Sequence, residues 1–241
     1  MKRFRSSPLL DAAIAAGLCM LVLLAFWHIG PAGRVLAEGD LFTYFYPYWS
    51  EATRALRSGR LPLWNDVLFM GVPFLANSQA GTFYPLNWPL WLLLPAHRSL
   101  HWSILLHLCL AAVGIYTYAR RSLRLGRLGA GVAGIALALG GYLGAQVEHV
   151  NQLQALAWFP WLLLLYDRAL ERRRWAWAGL AAVVGLVLLA GHTQSAFIAL
   201  VGLGIYALVP AGSTPRVRRL VLLAAVGALG VGLAAAQLVP T

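Results

Sequence analysis

Seven long apolar runs divide this chain, near residues 9–29, 99–119, 128–147, 150–166, 175–191, 193–210 and 220–240. Each approaches the roughly 20 residues that a helix needs to cross a bilayer. A helix is the open-chain form that satisfies its own backbone hydrogen bonds in lipid. The pattern predicts an all-α fold: a polytopic transmembrane helical bundle of about seven spans, forming one membrane domain over residues 1–241. The final run stops at Pro240-Thr241 with no polar tail, so the chain is expected to be the N-terminal part of a longer protein.

One connector breaks the pattern. Residues 31–98 are neither apolar enough to span nor short enough to be a turn. Pro47 can open a helix and Gly59 can close one, framing a short helix on which Tyr48, Trp49, Ala52 and Leu56 share a face away from Arg54 and Arg57. That is the pattern of an interfacial amphipathic helix lying along the membrane. Glu51 and Arg54 are spaced to pair on it. Gly59, Pro62, Gly71, Pro73, Gly81, Pro85 and Pro89 then mark turns, and the apolar stretch 86–94 is too short to cross.

Charge gives the bundle a direction. Hydrophobic residues make up 60% of the chain and charged residues 11%, with mean hydropathy +0.70; a soluble domain cannot hide that much apolar surface. Of 19 basic residues, all but Lys2 are arginine, and most sit in clusters between runs: Arg120, Arg121, Arg124 and Arg127; Arg168, Arg172, Arg173 and Arg174; Arg216, Arg218 and Arg219. With seven alternating spans these clusters and the basic N-terminus share one side, the cytoplasmic one by the positive-inside rule. The loop at 31–98, the Glu148/His149 tip and the Gly191/His192 tip then face outward. Arginines confined to turns do not form a face that tracks phosphates, which argues against nucleic acid despite the net charge of +11. Val35-Leu36-Ala37 could pass for a cleavage site, but the length of the first run favours an uncleaved helix. Cys19 and Cys109 both lie in apolar runs, so no disulfide framework is expected.

The loop also holds four of the eight acidic residues, Glu38, Asp40, Glu51 and Asp66. A carboxylate at the water–lipid boundary, such as Asp40, can take a proton from a hydroxyl while the other reactant stays in lipid. Glu38, two residues away, makes an acidic-x-acidic pair able to chelate a divalent cation; no other cofactor and no protein metal site is expected. The plain alternative is that Glu38 and Asp40 are loop polar residues, Asp40 capping the segment after it. His149, Asn151 and Gln152 lie at one outer tip, His192 and Gln194 at the next. They supply donors and acceptors for a sugar, with Arg34 and Arg98 as phosphate partners; alternatively, tip residues simply meet water. His101 and His107, inside the second run, are read as interhelical hydrogen-bond formers. Asp11 is read as structural, within reach of Lys2, Arg3 or Arg5, and Asp167 and Glu171 as part of a solvated turn. The glycines at 129, 134, 140 and 141 suit close helix packing.

The ordered motifs Gly39-Asp40, Gly59-Arg60-Leu61-Pro62-Leu63-Trp64-Asn65, Gly71-Val72-Pro73-Phe74, Asn77-Ser78-Gln79 and Phe83-Tyr84-Pro85-Leu86-Asn87 resemble the first-loop signature of YfhO-type bacterial membrane proteins. The resemblance continues through His149-Val150-Asn151, Trp158-Phe159-Pro160-Trp161 and Ala190-Gly191-His192-Thr193-Gln194. That family is similar to the GT-C class of glycosyltransferases. The resemblance implies an enzyme of the bacterial cytoplasmic membrane, its N-terminus cytoplasmic. It would move a sugar from a polyprenyl-phosphate donor to an envelope glycan, lipid or protein acceptor on the outer face, with Asp40 as base or acceptor-positioner. The class usually carries more helices, and often a soluble domain, than these residues supply. A transporter or flippase for a lipid-linked substrate is the competing reading, but it calls for ionisable groups in mid-span, where this sequence has almost none. A non-catalytic envelope-assembly subunit is the third.

Overall fold

The structure, a computed structural model, describes residues 7–68, 70–171, 173–209 and 214–241, with the backbone alone for Arg174. Lys2, Arg3, Arg5, Phe69, Arg172 and Pro210 lie outside the described residues.

The chain is mostly helical. The helices are α1 (Pro8–Ala25), α2 (Tyr46–Arg57), α3 (Asn87–Leu93), α4 (Ala96–Arg121), α5 (Arg127–Ala138), α6 (Gly141–Ala145), α7 (Val150–Leu156), α8 (Phe159–Leu170), α9 (Arg174–Leu189), α10 (Thr193–Leu208) and α11 (Arg216–Leu238). A π-helical turn, Leu41–Phe45, leads into α2, and two short strands, β1 (Trp64–Asn65) and β2 (Val72–Pro73), pair antiparallel within the loop. Among the described residues four helical stretches are long and apolar enough to cross a membrane: Pro8–Ala25, Ala96–Arg121, Arg127–Glu148 and Arg216–Leu238. Large apolar side chains point outward along them and along α10, among them Met20, Leu24, Phe197, Ile205 and Leu233. Such a surface belongs in lipid, and it marks the chain as a membrane protein.

Several of the predicted runs are shorter or broken. The run at 128–147 divides at Gly140, where an added Cβ would strike the Ala136 carbonyl. The run at 150–166 divides after Leu156 and restarts at Phe159, with Pro160 in the first turn of α8, the position that tolerates a missing N–H. Helices α9 and α10 have 16 residues each.

Side-chain bonds define two ends of the bundle. At one, Asp11 near the start of α1 accepts from Tyr116 (2.9 Å), Arg120 (3.3 Å) and Arg127 (2.9 Å). Asp11 is thus structural, and its described partners come from α4 and α5; Lys2, Arg3 and Arg5 lie outside the described residues. At the same end Arg168 donates to the Arg121 carbonyl, Arg218 to that of Leu170, and Arg219 to those of Ala207 and Val209. Asp167 is not the solvated residue expected there: it is half-buried and accepts from Tyr206 at 3.1 Å.

The loop occupies the other end and folds back into the bundle. Helix α2 turns Trp49 and Ala52 inward onto α3 and α4, with Trp49 edge-on to Trp91 at 5.3 Å. Its predicted apolar face is therefore covered by protein rather than laid on lipid. Its outer side carries Arg54, which pairs with Glu51 at 2.8 Å and Asp66 at 3.2 Å. His107 of α4 meets the loop's Tyr84 hydroxyl at 2.6 Å and its own helix's Ser103 carbonyl at 2.7 Å. The polar set continues through Trp158, which donates to Tyr84, and Gln154, which donates to Asn87 and Ser103. His101 accepts from the Leu36 amide at 3.2 Å. His101 also meets the Tyr46 hydroxyl of α2 at 3.4 Å, an interhelical contact as expected, while His107 anchors the first loop through Tyr84. Gly134 does serve close packing: an added Cβ would lie 2.7 Å from Leu18 of α1 and 3.3 Å from the Ala112 carbonyl of α4.

Candidate functional site

The segment that presents Asp40 is held from both sides. Upstream, the Arg98 guanidinium lies against Gly33, leaving no room for a Cβ there (contacts from 2.5 Å), and His101 holds Leu36. Downstream, the π-helical turn places Phe45 and Leu41 in the core. Gly39 sits between at φ +53°, a conformation that glycine adopts without strain, with the Glu148 carboxylate packed on its Cα. The first loop therefore docks on the Glu148/His149 tip.

That docking brings Asp40 to His149. The carboxylate Oδ2 lies 3.5 Å from the imidazole Nε2, with Asp40 58% and His149 40% exposed. Asp40 precedes the π-helical turn but makes no capping hydrogen bond. The capping role open from the sequence is not the one its side chain takes. The other imidazole nitrogen of His149 is buried without a partner among the described residues, as is the amide nitrogen of Asn151, a residue only 3% exposed. The Asn151 oxygen accepts from the Gln152 amide at 2.9 Å. Two buried polar atoms left open at the base of an exposed carboxylate–imidazole pair are costly without a ligand or water.

His192 joins from the second tip. It caps α10, its Nδ1 accepting from the Ser195 amide at 3.0 Å. Burial lowers its pKa below the usual imidazole range, and the neighbouring His149 acts the same way. Gly191, at φ +83°, lets this tip press against the Ser78 carbonyl, with no room for a Cβ. Ser78 is held in turn by Gln237 of α11, which donates to its carbonyl (2.8 Å) and accepts from the Phe83 amide (3.0 Å).

Tyr44, one helical turn beyond Asp40, was not singled out from the sequence. Its hydroxyl accepts from Asn77 at 2.6 Å, and burial raises its pKa well above the usual phenol range, with Asp40 adding to the effect. Glu148 and Gln237 were likewise missed as positioning groups. A single glutamine in the otherwise apolar run of α11 was the available signal.

The other predicted residues fall differently. Glu38 and Gln194 are exposed, and no described hydrogen bond ties either side chain to the pair. Arg34 is exposed, and Arg98 is engaged with Gly33, so it positions the loop's entry. Among the described residues no three His, Cys, Asp or Glu side chains are grouped to hold a metal ion.

Comparison with protein-family models, curated proteins and solved structures finds no match to this chain. The grouping of Asp40 with the two hairpin tips rests on the chain's own residues.

Proposed function

We propose that the protein is a membrane glycosyltransferase of GT-C type, transferring a sugar from a polyprenyl-phosphate donor to an envelope acceptor at the outer face of the bacterial cytoplasmic membrane. In this reading all seven predicted runs traverse the bilayer, with the N-terminus and the arginine-rich end in the cytoplasm. The acceptor hydroxyl gives its proton to Asp40 as its oxygen bonds to the anomeric carbon. The bond from that carbon to the phosphate oxygen breaks, and the polyprenyl phosphate leaves with the electron pair. His149 orients the carboxylate. Asn151, Gln152 and Gln194 offer donors and acceptors to sugar hydroxyls, while Arg34 stands near the loop's entry as a cation for the phosphate. The donor's lipid tail stays in the bilayer, which suits a site at the end of the helices.

The observation that carries this reading is the contact of Asp40 with His149, two residues from separate resembling motifs, with His192 from a third near enough for the charge of His149 to act on it. A carboxylate held by an imidazole at a membrane surface is suited to general-base work. The test is transfer of label from polyprenyl-phosphate sugars in membranes containing the full-length protein. Asp40→Asn should lower transfer by roughly 100-fold or more, the usual contribution of such a base, with unchanged expression and insertion. Transfer at the wild-type rate would remove Asp40 from the mechanism.

A further inference from the structure

At the arginine-rich end, outside the site described above, a cleft of about 290 Å³ opens between the last turn of α4, the end of α8 and the start of α9. It is lined by Thr117, Arg121, Leu164, Arg168, Arg173 and Trp175. Glu171 is the acidic group paired with these arginines among the described residues: Arg168 holds both its oxygens, at 2.9 and 2.8 Å, and Arg173 lies 3.6 Å away. Among the described residues Arg121 enters no ion pair, and its own carbonyl accepts from Arg168. Three guanidiniums line the cleft and no carboxylate does; Glu171, and Asp167 whose charge also acts on Arg168, offset them only in part, so the lining stays basic. Arg173 is also the N-cap of α9, whose first turn brings unsatisfied N–H groups and the positive end of its dipole to the same place.

We propose that this cleft binds the phosphate of an anionic phospholipid. The chemistry selects a phosphate ester, since guanidiniums recognise phosphate through paired donors. The walls favour a lipid over a soluble ester. Leu164 closes one side with apolar surface, and Trp175 stands exposed where tryptophans sit at the membrane–water boundary. Basic clefts between spanning helices commonly take acidic headgroups. This inference does not depend on the role of Asp40.

The test is retention of radiolabelled phosphatidylglycerol, against phosphatidylcholine, by the detergent-purified protein. Wild type should retain phosphatidylglycerol selectively. Arg121→Gln with Arg173→Gln should lower retention roughly 30-fold, the loss expected for two cations near a lipid surface. Arg124→Gln with Arg216→Gln, which removes the same charge outside the cleft, should leave it near wild type. Equal losses in the two pairs would mean diffuse attraction and overturn the proposal. Glu171→Gln, which removes the competing carboxylate, should raise retention several-fold, and no rise would count against the cleft. Displacement of the lipid by millimolar inorganic phosphate would overturn the lipid assignment in favour of a soluble ester. Circular dichroism and gel filtration establish that each variant is folded.

Discussion

At the residue scale, two histidines at hairpin tips take different roles because their surroundings differ. His149 faces a carboxylate and keeps one nitrogen open, while His192 spends a nitrogen on the α10 cap and is partly buried. Because the folded pKa of His192 lies below its unfolded value of 6.5, the unfolded chain takes up the proton first. Its contribution to stability is full above about pH 6.5 and is lost as pH falls below that. His192→Asn should keep the cap, since asparagine is a strong N-cap residue, and remove this titration. Thermal unfolding in micelles from pH 7.5 to about 5 should then show a shallower loss than wild type; an unchanged slope would exclude His192 as the titrating group. The sequence placed Asp40, His149 and His192 on one side by charge counting alone. It did not reveal that Arg98 would lie against Gly33 or that Asp167 would be bonded by Tyr206, because both depend on contacts far along the chain.

At the element scale, two glycines make opposite predictions. Gly191 has φ +83° and the Ser78 carbonyl against its Cα, so Gly191→Ala must strain the backbone and push the second tip off the loop. A loss of about 1–2 kcal/mol from the left-handed conformation alone is expected, with faster proteolysis of the loop. Gly17, within α1, has open space around it. Gly17→Ala should be neutral or stabilising by about 0.5–1 kcal/mol. Comparable melting temperatures for the two variants would contradict the packing described here. Apolar runs and turn residues made most helices legible: the run at 99–119 lies within α4, and Pro47 and Gly59 bracket α2 almost to the residue. The breaks at Gly140 and before Pro160 were less legible, since a membrane run reads as continuous whether or not its helix is. The destination of α2's apolar face was not legible at all. Lipid and protein demand the same side chains, and only the placement of Trp91 and α4 decides between them.

At the scale of the whole molecule, the bundle has a polar axis. Helix α11 runs from arginines that cap α8 and α10 to Gln237, which holds the loop beneath the Asp40 site. Its 23 residues rise about 34 Å at 1.5 Å each, close to a bilayer core. Gln237→Leu should leave the Phe83 amide unpaired, while the Ser78 carbonyl keeps its bond from the Gly81 amide. It should cost about 1–3 kcal/mol if the Phe83 amide finds no water, read as a lower melting temperature together with weakened transfer. If melting is unchanged, α11 does not hold the loop. The proposed chemistry requires that the loop end of this axis lie outside the cell and the arginine end inside. Cysteine substitution with a membrane-impermeant maleimide measures this directly, at Asp66 on the loop and at Arg216 at the opposite end, both exposed. Labelling of Asp66→Cys in intact cells, and of Arg216→Cys only after permeabilisation, is the predicted result. Labelling of Arg216→Cys in intact cells while Asp66→Cys stays protected would put Asp40 and His149 in the cytoplasm and contradict an outer-face transferase.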